Sequence, residues 1–189
     1  MSRAWLGAVC LAGLVSAAAS DAIPMRETVD PALSSARFEV GLRLSGLVHG
    51  SFRQIEGELE PDGRRWRVQV RVDARELELD GPGWMERSTR SRSFLDVDRH
   101  PQIRFISAPF TRALLRSGGP LEGELHLRGR VRPVAFTLSP ARCPRPGHGC
   151  DIRVSGMISR RDFGMTSQRM WLRDEVGFDF RVRLAEAPP

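Results

Sequence analysis

The chain contains no lysine, no asparagine and no tyrosine, so its positive charge is carried by arginine alone. The codons of the three missing residues are AT-rich, and their joint absence points to a GC-rich, bacterial genome rather than to a function. There are three cysteines, too few for a disulfide-dense scaffold. Beyond the first nineteen residues no apolar run is long enough to span a bilayer as a helix. No G-x-S-x-G elbow and no phosphate-cradling glycine loop occurs, and none of the four histidines shares a metal-ligand spacing with another. These absences leave no motif for catalysis or for a metal, and the expectation is a protein that is not an enzyme, with no catalytic residue and no cofactor. A site assembled from distant polar residues stands as the third-ranked alternative.

The 189 residues correspond to one domain. With 41% hydrophobic and 28% charged residues the chain is globular rather than disordered. Residues 1–19 read as a secretory signal: Arg3, an apolar run from Ala4 to Val15, and Ala17-Ala18-Ala19 before Ser20. The mature domain is then 20–189, in a bacterial periplasm or secreted. Cys10 leaves with the signal, and Cys143 and Cys150 remain. An even pair this close, in an oxidising compartment, favours a disulfide. Metal binding by Cys143, His148 and Cys150 is the weaker alternative, because the spacing matches no common zinc pattern. Without Arg3, 28 basic residues face 23 acidic ones, a net charge of +5. A nucleic-acid partner is not expected, because the arginines are spread over many strands among acids and do not form one stripe with exposed aromatics. An arginine-rich outer face suits transient contact with an anionic membrane surface.

Period-two alternation dominates what is present. Phe38, Val40, Leu42 and Leu44 alternate with polar residues or glycine, as do Trp66, Val68, Val70 and Val72. The same holds from Leu121 to Leu127, from Ile152 to Ile158 and from Val176 to Leu184. Each is a strand with one dry and one wet face. Less regular strands are expected over 51–60, 102–107 and 131–139, with a further short one near 110–115. A short helix is expected within 83–93, and 164–171 is irregular. About eight antiparallel strands fit a sandwich or a closed barrel.

Five ordered blocks discriminate between these. They are Thr28-Val29-Asp30-Pro31 running into Arg37-Phe38-Glu39-Val40; Gly50-Ser51-Phe52 with Glu56-Gly57-Glu58-Leu59; Arg90-Ser91-Arg92-Ser93-Phe94 with His100-Pro101-Gln102-Ile103; Gly123-Glu124-Leu125-His126-Leu127-Arg128-Gly129; and Ile158-Ser159-Arg160-Arg161-Asp162-Phe163-Gly164-Met165. Together they resemble the YceI-like family of polyisoprenoid-binding proteins over roughly residues 28 to 184. The resemblance implies an all-β, antiparallel, eight-stranded lipocalin-like β-barrel with one or two short helices. It further implies an apolar tunnel for an isoprenoid or quinone tail, and often a homodimer. The expected function is binding of such a lipid for periplasmic transport or storage. The alternative is a solid-core barrel acting as an interaction or stress-response module.

A tunnel for a hydrocarbon needs dry walls, so its candidate residues come from the dry stripes: Phe38, Val40, Leu42, Phe52, Trp66, Val68, Phe105, Leu125, Phe136, Ile158, Phe178 and Phe180. Each of these also suits an ordinary core. Phe94 and Phe163 suit hydrophobic pegs or the lining of a mouth, and 83–94 and 164–171 suit gates. Arg90, Arg128 and Arg160 suit loop carbonyls or carboxylates more readily than a ligand headgroup. The pairs Asp96/Asp98 and Asp174/Glu175 are expected to be solvated, as are most of the histidines.

Overall fold

The computed structural model describes residues 25–186. The expected signal over 1–19 lies outside the described residues. Eleven strands form one antiparallel sheet: β1 (Glu27–Thr28), β2 (Ser35–Leu42), β3 (Leu47–Phe52), β4 (Ile55–Asp62), β5 (Arg65–Asp73), β6 (Leu77–Leu79), β7 (Gln102–Ser107), β8 (Gly119–Leu127), β9 (Arg130–Leu138), β10 (Ile152–Ser159) and β11 (Leu172–Val182). Their order in the sheet is β1-β4-β5-β7-β8-β9-β10-β11-β2-β3-β6. Two short helices accompany them, α1 (Gly83–Arg90) and α2 (Leu114–Ser117). The sheet is strongly curled. Val29, beside the β1 edge, bridges Leu184 just past β11, and Asp30 N donates to Arg183 O at 2.9 Å.

The expectation of eight strands is corrected to eleven. β1 and β6 are two and three residues long, too short to show alternation. The segment 51–60, read as one strand, is the end of β3 and most of β4. Phe52 and Ile55 are both buried although they are three positions apart, so the alternation slips phase and the strand bends at Arg53-Gln54. β1 and β6 end the strand order without pairing with each other, so sheet hydrogen bonding does not close a complete barrel. No strand forms over 110–115. Phe110 makes an isolated bridge to Trp66, and α2 follows.

Turns fall where the local chemistry demands them. Leu127 pairs with Arg130, leaving Arg128 and Gly129 as a two-residue turn with φ of 52° and 68°. Both values are positive, which is the type I′ geometry that matches strand twist. Cys143 and Cys150 are bonded, with Cα atoms 6.0 Å apart, in the loop between β9 and β10. In this bond the two thiols are joined to each other rather than offered to a metal with His148. The loop also packs on the end of the sheet. Leu184 N donates to Gly147 O at 3.0 Å, and Arg183 Nη1 donates to His148 O at 2.7 Å. Closing so short a loop limits the unfolded chain, so replacing both cysteines by serine is expected to cost about 2–3 kcal/mol. Denaturant unfolding of the oxidised and Cys143→Ser/Cys150→Ser proteins checks this. Equal midpoints would contradict it.

Candidate functional site

The interior begins with glycines on dry stripes. Gly50, Gly123 and Gly156 occupy inward positions of β3, β8 and β10, and each leaves room for an aromatic ring. A β-carbon at Gly50 would lie 2.3 Å from Phe38 Cζ, and one at Gly156 would lie 2.4 Å from Phe136 Cδ1. One at Gly123 would lie 2.7 Å from Phe105. The rings thus lie over strand backbone and meet one another. Phe105 and Phe136 are edge to face at 5.1 Å, Phe136 and Phe180 at 5.9 Å, and Phe178 and Phe180 stack at 5.8 Å. Phe38 adjoins Phe52 at 5.5 Å.

Within this cluster lies a cavity of about 150 Å³ whose lining is apolar except for Thr89. Ten of the twelve expected wall residues surround it: Phe38, Val40, Phe52, Val68, Phe105, Leu125, Phe136, Ile158, Phe178 and Phe180. Leu42 and Trp66 do not. Leu42 is the last residue of β2 and pairs with Leu172 beyond a shift in the register with β11, away from the cavity wall. Trp66 sits at the start of β5, bridged to Phe110. Phe110 lines the cavity and Trp66 does not, and the Arg112 guanidinium lies 4.4 Å over the indole. The remaining wall includes Val70, Val72 and Val154 from the same stripes. Leu95 and Met165 come from stretches without alternation.

The stretches 83–94 and 164–171 meet over one end. Thr89 and Phe94 of the first and Met165 of the second line the cavity, whereas Phe163 is fully buried outside it, as a peg. Three arginines hold these stretches through carbonyls, and each of them therefore has a structural job; Arg128 alone bonds carbonyls of both stretches. Arg90 donates to Leu77 O. Arg128 donates to Gly164 O at 3.0 Å and to Arg92 O at 2.9 Å. Arg160, 1% exposed, donates to Arg173 O at 3.0 Å, Met165 O at 3.2 Å and Ser167 O at 2.6 Å. Its guanidinium also faces the Phe94 ring at 5.6 Å. Burial pushes the Arg160 guanidinium below the usual arginine range, with Asp174 opposing.

Several polar residues differ from expectation. Asp96 is buried, with φ of 52°. Asp174 accepts from Ser159 Oγ at 2.6 Å and lies 2.9 Å from Arg161 Nε. His148 is not free in solvent but lies 3.5 Å from Glu27 Oε2. No period in the sequence marks these partners, because each pair is brought together across the fold. Burial alone would raise the Asp174 carboxyl, but hydrogen bonds from Ser159 and Arg161 hold it below its ordinary value. A depressed carboxyl stabilises the fold above the unfolded value of about 3.9 and loses that contribution as pH falls through its folded value. Asp174→Asn is therefore expected to flatten the acid-side loss of stability below about pH 4. Urea midpoints from neutral to acid pH check this, and parallel curves for the two proteins would contradict it.

Fold and interior together define a class: a curled antiparallel β fold whose dry face encloses an apolar cavity. The YceI-like domain model matches residues 28–184, and the chain belongs to that family. Solved structures agree at the level of fold. BcnA of Burkholderia cenocepacia is 19% identical, with a TM-score of 0.67 over 84% of this chain and 99% of its own. A polyisoprenoid-binding domain from Saccharophagus degradans, implicated in plant cell wall breakdown, is 14% identical, with a TM-score of 0.66 over 86% and 98%. The YceI protein of Campylobacter jejuni is 14% identical, with a TM-score of 0.52 over 74% and 85%. No curated protein sequence matches the chain.

Proposed function

We propose that the protein binds the chain of an isoprenoid lipid, or a similar long apolar molecule, non-covalently in this interior, and transports or stores it in the periplasm without chemical turnover. The observation that carries the reading is the cavity wall, apolar except for Thr89, in a YceI-like chain whose fold is shared by a polyisoprenoid-binding domain. The Cys143–Cys150 bond fits an oxidising compartment.

Size refines the mechanism. A cavity of about 150 Å³ holds something the size of benzene, so a long chain enters only as the phenylalanine cluster re-packs. Each buried methylene contributes about 0.8 kcal/mol, and each displaced ring rotamer costs about 1 kcal/mol. A handful of buried carbons therefore offsets several moved rings. The small cavity is also the observation that favours the second reading, a filled core in an interaction module. Titration calorimetry of lipid-free protein with a short isoprenoid alcohol and with a long-tailed quinone separates the two. The carrier takes up both at one site with a negative heat-capacity change. Absence of heat and of saturation with both ligands supports the filled core.

A further inference from the structure

Four of the large hydrophobic side chains exposed among the described residues lie on two neighbouring segments. Leu44, on the turn between β2 and β3, is 86% exposed and Leu47, the first residue of β3, 54%, while Met170 is 82% and Trp171 62% exposed, just before β11. The backbone ties these segments together. Arg43 N donates to Trp171 O at 2.9 Å, Arg43 Nε donates to Arg169 O at 2.6 Å, and Leu42 pairs with Leu172. Leu47 lies opposite Gly41, and the Arg173 stem passes over Gly41, where a β-carbon would be 2.7 Å from Arg173 Cδ. Segments 43–47 and 164–173 contain Arg43, Arg169 and Arg173 and no acidic residue.

We propose that this loop end docks on an anionic lipid bilayer, with Leu44, Met170 and Trp171 entering the interface and Arg43, Arg169 and Arg173 meeting lipid phosphates. Amphipathic rings settle at headgroup depth, and a small apolar surface holds a membrane reversibly when basic side chains flank it. The charge selects this occupant over a second copy of the chain, because a two-fold contact through this patch would set the arginines against their own copies. The position gives docking a use. Met165, which lines the cavity, lies five residues before Met170, and Ser167 Oγ donates to Ser93 O at 2.7 Å, next to cavity-lining Phe94. Docking therefore brings the looped end of the cavity to the bilayer. That use rests on the carrier reading, whereas the docking itself does not.

Co-sedimentation with vesicles of phosphatidylcholine alone and of phosphatidylcholine with phosphatidylglycerol tests the proposal. Wild type is expected to bind the anionic vesicles roughly tenfold more tightly, with salt weakening the binding. Leu44→Ser/Trp171→Ser is expected to lose roughly tenfold, and Arg169→Gln a smaller factor that vanishes at high salt. All three changes are at exposed positions, and matching thermal unfolding checks the fold. Equal binding to both vesicles overturns the proposal, as does undiminished binding by the double variant. A concentration-dependent dimer that the double variant abolishes also overturns it, by making a second copy the occupant. Isoprenoid uptake from solution, measured on the same variants, is expected to stay unchanged. Docking without uptake by wild type overturns the carrier reading and leaves the docking surface in place.

Discussion

Val68→Glu is expected to weaken isoprenoid binding by more than roughly a hundredfold while leaving the sheet folded. Val68 lines the cavity from β5, among apolar walls that offer a carboxylate no partner. An ionised group there stays hydrated and draws water into the site, and a neutral one still lacks a hydrogen bond, at about 1–3 kcal/mol. Either outcome removes the dry wall that a hydrocarbon needs. Arg67→Gln, one residue away and exposed, serves as the control and is expected to leave binding unchanged. Calorimetric titration checks both. A folded Val68→Glu protein that still binds would place the lipid outside the cavity.

The second large effect is on stability. Arg160→Ala is expected to cost about 3–5 kcal/mol, because three carbonyls lose a charged donor inside the protein. In a domain of this size that corresponds to a fall of roughly 10 °C in Tm. Arg160→Lys recovers only part of it, since one ammonium cannot reproduce a planar guanidinium spread over three acceptors. Scanning calorimetry of the two variants decides the matter. A change in Tm of less than about 2 °C for Arg160→Ala would mean that the loops hold together without it. Because Arg160 fixes Met165 and faces Phe94, its loss is also expected to loosen the cavity's looped end.

How much of this was legible in the sequence follows from periodicity. Alternation assigns a face, so the dry stripes of β2, β5, β8, β10 and β11 supplied most of the cavity wall directly. It fails where the backbone departs from a regular pleat. Leu42 keeps the parity of its stripe but ends β2 beyond the register shift with β11, where it no longer reaches the cavity. The odd spacing of Phe52 and Ile55 was a readable mark of the bend between β3 and β4, but alternation alone does not say whether such a slip is a bulge, a bend or a break. Leu95 and Met165 lie in stretches with no period, and only the path of the chain places them against the cavity. Likewise, nothing in the run Ser159-Arg160-Arg161 distinguishes the buried guanidinium from its exposed neighbour. That choice depends on the carbonyls that the loop 164–171 turns toward Arg160.

The most direct measurement is native mass spectrometry of the protein purified from its own cells, followed by organic extraction of whatever is bound. The expected result is one isoprenoid or other long-chain lipid per chain, released on unfolding. A bare protein mass, together with failure to take up added quinones and polyprenols, would contradict it and leave the filled core as the reading that fits.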